Sequence, residues 1–222
     1  MNLEIKHLTK EYRHKNQAFH AVEEVSFSVS QGQFVCIMGQ SGCGKSTLLN
    51  MLTGLLRPTS GEILLDGEDI CRKSDRQLAD LRSTGIGYVL QGQSLLTNLT
   101  IWDNVCLPAS LARKKQDVSE RAGELLREVG LEDRGSDWPS SLSGGEARRA
   151  AIVRAMVNSP EILIADEPTC NLDPENGKKI MELFRSISRR GTTVLVSTHD
   201  QDFLEYADRV LRMDHGRLAE EK

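Results

Sequence analysis

Apolar positions change their spacing along the chain, and each change predicts a different kind of element. Val22, Val25, Phe27 and Val29 mostly alternate with polar residues, the spacing of half-buried strands. Glu62-Ile63-Leu64-Leu65-Asp66 reads as a short strand ahead of a glycine turn. The period then lengthens. Ser74-Asp75-Arg76-Gln77 and Asp117-Val118-Ser119-Glu120 have capping-box spacing before apolar residues at helical intervals. The stretch from about Thr100 to Leu131 is expected to be mostly helix. Beyond it strand and helix alternate: a strand at Ile162–Ala165, a helix at Pro174–Arg189 capped by Asp173, a strand at Thr192–Ser197 and a short helix from Asp200. Apolar strands alternating with helices predict a parallel sheet covered on both faces.

The chain has 222 residues, which suits one domain (1–222), with a helical insert expected at about residues 92–140. Lys plus Arg number 28 and Asp plus Glu 32, a formal net charge of −4. A mildly acidic surface attracts neither nucleic acid nor anionic lipid, so no nucleic-acid partner is expected. No apolar run approaches the ~18 residues that cross a bilayer, so no direct membrane insertion is expected. The first residues lack a charged-then-apolar leader, and a cytoplasmic location is expected. The five cysteines are scattered without a C-x-x-C pair, so neither a disulfide framework nor a zinc site is predicted, and most are expected as small core residues. Arg113-Lys114-Lys115 is read as a solvated turn.

Candidate chemistry begins after the apolar strand Phe34-Val35-Cys36-Ile37-Met38. Gly39-Gln40-Ser41-Gly42-Cys43-Gly44-Lys45-Ser46-Thr47 follows at once, and an amphipathic helix carrying Leu48, Leu49, Leu52 and Leu55 comes behind it. This is the phosphate-binding P-loop pattern in its required strand–loop–helix context. Its glycines let successive backbone N–H groups point into one hollow at the positive end of the helix. Lys45 supplies a charge for the β- and γ-phosphates of ATP, Ser46 a hydroxyl ligand for Mg2+, and Thr47 reaches the α-phosphate. Cys43 lies inside the loop, where alkylation is expected to block nucleotide binding. The expected fold is therefore α/β: a P-loop NTPase core with a mixed, mainly parallel sheet and an N-terminal antiparallel β part.

Ligands of such sheets bind beyond the carboxyl ends of the strands. Three other apolar runs deliver polar residues there: Ile162–Ala165 delivers Asp166 and Glu167, Thr193–Ser197 delivers His199, and Ile86–Leu90 delivers Gln91. Side-chain alternation would let Asp166 face the metal and Glu167 the attacking water, with Pro168 keeping Glu167 extended. His199 is placed to contact the γ-phosphate, and Gln91 to bridge metal and water.

Ser141-Leu142-Ser143-Gly144-Gly145-Glu146 opens a further helix. Ser143 and Glu146 form a capping box, yet paired glycines are poor for a helix start unless a ligand must approach closely. Ser143, Gly144 and Gly145 thus predict a second phosphate cradle, and one nucleotide already wrapped by the P-loop suggests that a neighbouring molecule uses it.

In order and spacing, Gly39–Thr47, Gln91, Leu142–Glu146, Ile162–Glu167, Asn171-Leu172-Asp173 and His199 resemble the ATP-binding-cassette (ABC) ATPases over essentially the whole chain. The resemblance implies ATP hydrolysis by two cassettes paired head to tail, a homodimer or a paired cassette, each nucleotide lying between the P-loop of one and Ser143–Gly145 of the other. It makes Asp166 the Walker B aspartate, Glu167 the catalytic glutamate and Asn171–Asp173 an interface loop, and places Tyr12 on the adenine. Glu146 stands where many members have Gln, and Cys170 where a small residue is usual. Leu78–Arg82, Ile86–Gln91, Leu95-Leu96, Leu99-Thr100, Asp103-Asn104-Val105 and Leu107-Pro108 are similar to ATPases of the lipoprotein-release, macrolide-export and antimicrobial-peptide-resistance group. That similarity implies a separate transmembrane permease subunit, and a cassette peripheral on the cytoplasmic face of the membrane. Leu95, Leu96, Leu99 and Trp102 would then line a groove for that partner, or belong to the core. The competing expectation is an ABC ATPase acting on nucleic acid or ribosomes, which the absence of a basic stripe disfavours.

Overall fold

The computed structural model describes residues 1–14, 17–92, 95–112 and 116–221; the basic run Arg113-Lys114-Lys115 lies outside them. The first half of the chain contains β1 (Leu3–His14), β2 (Gln17–Val29), β3 (Phe34–Met38), α1 (Lys45–Leu52), β4 (Ser60–Leu65), β5 (Glu68–Asp69), α2 (Asp75–Thr84) and β6 (Ile86–Val89). Then come α3 (Ile101–Leu111), α4 (Ser119–Glu128), α5 (Gly144–Met156), β7 (Ile162–Asp166), α6 (Pro174–Arg189), β8 (Thr193–Thr198), β9 (Arg209–Asp214) and β10 (Arg217–Glu221).

Among the described residues, two sheets hold the strands. An antiparallel sheet has the order β2-β1-β4-β5, and a second sheet the order β10-β9-β3-β8-β7-β6. In the second, β9, β3, β8, β7 and β6 run parallel, and β10 closes the edge as an antiparallel hairpin. The carboxyl ends of β3, β6, β7 and β8 therefore point to one side, which brings the P-loop, Gln91, Asp166-Glu167 and His199 together as predicted.

All five residues of β3 are buried, which is why this strand is continuously apolar rather than alternating. Phe34, Cys36 and Met38 face a core shared with α3, α4, α5 and α6. Val35 and Ile37 face the other core, built with α1 and the antiparallel sheet. Among the described residues, those of the helical insert join the main core rather than a separate one: Val105, Leu126 and Leu131 pack into the same core as Leu163 of β7.

The skip in alternation between Val22 and Val25 has a backbone cause. Glu24 has a φ of 50°, and the β1–β2 register shifts between Leu8 and Lys10, so one residue is passed over before the pattern resumes. Three local expectations are corrected. The P-loop helix ends at Leu52, leaving Leu55 beyond it and 53% exposed. Asp117 does not form a capping box. Its carboxylate accepts the Ser119 N–H at 2.9 Å in a tight local turn, and the helix starts at Ser119, with Val118 rather than Asp117 in the cap position. Of the five cysteines, Cys36 and Cys43 are buried in the cores and Cys71 and Cys106 are half-buried against them, so only Cys170, half-buried, departs from the expectation of core residues. The hairpin β9–β10 was not predicted, because Arg209 to Glu221 is short and charged and its strand spacing is weak.

Candidate functional site

The loop after β3 enters α1 through Gly44, at φ 111° and ψ 0°. A Cβ on Gly44 would stand 2.1 Å from the carbonyl oxygen of Ala21 and 2.8 Å from Met213 Cε, so only glycine fits between β2 and the β9–β10 hairpin. The hairpin also holds the loop by hydrogen bonds. Gly216 N donates to Cys43 O at 3.0 Å and Glu23 N to Gly216 O at 2.8 Å, while the Arg217 guanidinium forks onto the Glu23 carboxylate at 3.2 and 2.8 Å. The start of α1 has no side-chain cap and no acidic residue in its first turn, so its positive end is open to an anion.

One cleft of about 550 Å³ lies over this loop, a size that suits a small ligand. Tyr12, Ser41, Gly42, Cys43, Gly44, Lys45, Ser46, Thr47, Gln91 and Glu167, all expected at the nucleotide, line it. Phe19, His20, Ala21, His215 and Gly216 complete it. Tyr12 is stacked on Phe19, with ring centroids 5.6 Å apart and planes 24° apart, and Lys10 Nζ stands 5.4 Å from the Tyr12 centroid. Both rings are partly exposed, a ready surface for a flat base. Cys43 lines the cleft, but it is only 8% exposed and is part of the inner core. That burial makes its sulfur a poor target for a bulky reagent.

Glu167 is the meeting point of the other predicted side chains. Lys45 Nζ lies 3.3 Å from Glu167 Oε1, and also donates to Gly39 O at 2.6 Å and Gln40 O at 3.0 Å. Gln91 Nε2 donates to Glu167 Oε2 at 3.3 Å, and His199 Nδ1 is 3.4 Å from the same oxygen. The backbone of Glu167 is not extended as expected. Its φ is 44°, a left-handed conformation, because its N–H turns to the hydroxyl of Ser197 at 2.8 Å while its carbonyl accepts from Cys170 N at 3.1 Å to begin a turn. Pro168 disfavours the right-handed helical region but does not exclude this one. Asp166 is 3% exposed and lies behind Glu167, its Oδ1 accepting the Ser197 hydroxyl at 2.6 Å. Beside it, burial and the Asp166 charge push the Tyr88 phenol well above its usual value.

Ser143, Gly144 and Gly145 open α5 as predicted but not in this cleft. Ser143 caps the helix: its hydroxyl accepts Glu146 N at 3.3 Å, and Glu146 Oε2 accepts Ser143 N at 2.8 Å. The Ser143 N–H first, and then the Ser143 hydroxyl, hold the Glu146 carboxyl below the usual carboxylate value. A Cβ on Gly145 would meet Asn176 Oδ1 at 2.9 Å, so packing against α6 explains that glycine. A Cβ on Gly144 would meet only Leu172 at 3.4 Å, an ordinary contact, so packing within the chain does not explain this one. Gly144 lines a second cleft, of about 500 Å³, with Leu142, Arg148, Cys170, Asn171 and Leu172. Leu95 is core, whereas Leu96 and Trp102 are 45% and 36% exposed.

Sequence reasoning missed Ser197, Phe19, His20 and the hairpin residues His215 and Gly216. Ser197 had a signal, a hydroxyl at the end of an otherwise apolar buried strand, which must find a partner. The hairpin had none, since its role is set by which strand it lands beside.

Ser46, Gln91 and Asp166 offer hydroxyl, amide and carboxylate oxygens around a phosphate-binding loop. Mg2+ favours one or two carboxylates together with phosphate oxygens rather than an all-protein cage. Among the described residues no group of three or more His, Cys, Asp or Glu gathers to form such a cage. The donor set fits an ion that arrives with a nucleotide.

Fold and site together define a P-loop nucleotide-binding protein with a second helix N-terminus displayed elsewhere on its surface. The family model described as "ABC transporter" matches residues 22–170. The chain belongs to this family and is an ATP-binding cassette. It is 40% identical over 220 residues to the macrolide export ATP-binding/permease protein MacB of Chlorobaculum tepidum, a match that covers 99% of this chain. The chain spans about a third of that relative's length, the match covering 34% of it. Among solved structures it resembles the dimeric form of MJ0796, a bacterial ABC transporter cassette, with TM-score 0.92 and 36% identity over 99% of this chain and 98% of that one. The same cassette in a dimeric post-hydrolysis state bound to ADP and Pi matches equally well, with TM-score 0.92 and 37% identity over the same shares. cbiO1 of Clostridium perfringens, part of the ABC transporter complex cbiONQ, matches with TM-score 0.84 and 31% identity over 98% of this chain and 86% of that one.

Proposed function

We propose that this chain is the ATP-hydrolysing subunit of a membrane transporter, working as a pair of cassettes whose closing and opening moves a separate transmembrane partner. The observation that carries the reading is the separation of two phosphate cradles: the α1 N-terminus lies in one cleft and the Gly144 end of α5 in another. A single nucleotide wrapped by the P-loop leaves the second cradle for the nucleotide of a facing molecule. The dimeric form of MJ0796 supports such pairing, and its ADP- and Pi-bound form supports turnover. MacB, an ATP-binding/permease protein, and cbiO1, part of a transporter complex, support a membrane partner. No described helix is long and apolar enough to cross a membrane, so the described part of the chain supplies no membrane-spanning helix.

The chemistry follows from the geometry. The N–H groups of Gly42 to Thr47 and the Lys45 ammonium bind the triphosphate, and Tyr12 stacks on the base. Lys45 is then drawn from the carbonyls of Gly39 and Gln40 towards phosphate, which frees Glu167 to hold a water and take its proton. Gln91 and His199, already on the Glu167 carboxylate, align that water and the γ-phosphate. Ser46, Gln91 and Asp166 would hold Mg2+, which when bound neutralises charge on the β- and γ-phosphate oxygens.

Glu167→Gln tests the reading. A general base contributes about 10²–10⁴-fold, so turnover should fall by that order while ATP binding persists and an ATP-bound dimer accumulates on size exclusion. Near-wild-type hydrolysis by this variant would remove Glu167 from the role of base. Pull-down of the wild-type chain with a membrane protein is expected; co-purification with nucleic acid or ribosomes instead would overturn the transporter assignment.

A further inference from the structure

The geometry points to Ser197 as a positioning residue for hydrolysis: one buried hydroxyl sets both the carboxylate that would hold the metal and the backbone that carries the base. This rests on the proposed function. Ser197 is fully buried and is the direct parallel partner of Asp166 in the last rung of the β7–β8 ladder. A hydroxyl has one proton to give, and in a dry strand it must be given to something. Ser188, also buried, gives its proton to a backbone carbonyl, that of Gly32 at 3.0 Å, an ordinary structural fate. Ser197 gives its proton to Asp166 Oδ1 at 2.6 Å, the length of a charge-assisted bond, and so leaves Oδ2 for a cation.

The same oxygen accepts the Glu167 N–H at 2.8 Å. That bond holds Glu167 at φ 44°, a backbone conformation that bulky residues rarely adopt. Its carboxylate there stands within reach of Lys45, Gln91 and His199. His199 is two residues beyond Ser197 on the same run of chain. One hydroxyl therefore ties together the ends of the two strands that carry the metal ligand, the base and the γ-phosphate contact. Partners that orient a metal ligand in this way change affinity or activity by about 10–100-fold when removed.

The test uses the full chain. It measures kcat and KM for ATP, the Mg2+ concentration that half-saturates tight binding of a fluorescent ATP analogue, and the melting temperature. Ser197→Ala is expected to lower kcat by about 10–100-fold and raise the half-saturating Mg2+ about 10-fold. KM for ATP should stay within about twofold, because the P-loop contacts are untouched. Ser197→Thr, which keeps the hydroxyl, should restore most of both. Wild-type kcat and wild-type Mg2+ requirement in Ser197→Ala would overturn the proposal. So would equal losses in the Ala and Thr variants with both melting as the wild type does. If Ser197→Ala does not fold, Ser197→Cys, similar in size but a weak donor, is read by the same two quantities. Failure of the wild type to hydrolyse ATP would count against the proposed function, and the Mg2+ dependence of nucleotide binding would still decide the role of Ser197.

Discussion

Three side chains of different chemistry gather on the Glu167 carboxylate: the Lys45 ammonium from the start of α1, the Gln91 amide, which donates to it, from beyond β6, and the His199 imidazole from beyond β8. Such convergence gives the carboxylate one orientation and makes its surroundings respond to whatever draws Lys45 away. Tyr12 works at the opposite level, through area rather than charge. Alanine in place of a stacking aromatic costs about 1–3 kcal/mol per base. Tyr12→Ala should therefore weaken ATP binding by about 5- to 150-fold with kcat much less affected, and Tyr12→Phe should bind ATP as the wild type does. Equilibrium binding of labelled ATP to the two variants checks this, and equal loss in both would assign the contribution to the Tyr12 hydroxyl.

At the scale of the element, α5 shows how one sequence signal serves two ends. The Ser143–Glu146 box is a stability device, and Ser143→Ala should cost about 1 kcal/mol in addition to any loss of turnover. Glu146 carries a pH signature of known sign. Its folded pKa lies below the usual 4.5, first because of the Ser143 N–H and then the Ser143 hydroxyl. A depressed carboxylate adds stability that is fully present above 4.5 and is lost as pH falls through the lower folded value. Glu146→Gln keeps the box but cannot titrate. It should retain ATP turnover and lose less melting temperature between pH 7 and acid than the wild type does, which thermal melts at a series of pH values would measure. Element boundaries inside the chain were legible to within a residue where a cap was present, as at Asp173-Pro174 and Ser74. The cap itself was misassigned where the residue had a competing use, as at Asp117, whose carboxylate closes a tight turn onto Ser119.

Across the whole molecule the decisive feature is that the N-terminal ends of α1 and α5 open into different clefts. Head-to-tail pairing then predicts complementation. A Lys45→Ala chain keeps an intact Ser143–Gly145 end, and a Ser143→Arg chain keeps an intact P-loop. Each alone should be inactive, and mixing them should restore turnover, because half of the sites in a mixed pair combine the intact partners. No recovery on mixing, with both variants folded and the mixed pair formed, would mean that each chain completes its own site. The hairpin β9–β10 also acts at this scale. It ties the antiparallel sheet to the P-loop through Glu23, Arg217, Gly216 and Cys43, residues distant along the chain.

Local spacing by itself determined the α/β class, the strand–loop–helix of the P-loop, the capping of α5 and α6, and the residues delivered at the strand ends. Those features depend on contacts between near neighbours, or on a strand burying both faces, and so leave a period in the sequence. Three things were decided only by the tertiary structure: the left-handed turn at Glu167, the inward-facing Cys43 and the hydroxyl bridge from Ser197 to Asp166. Each depends on which strand lies beside which, and on the register between them. Strand order is set by packing summed over the whole sheet, and no window of local sequence contains it.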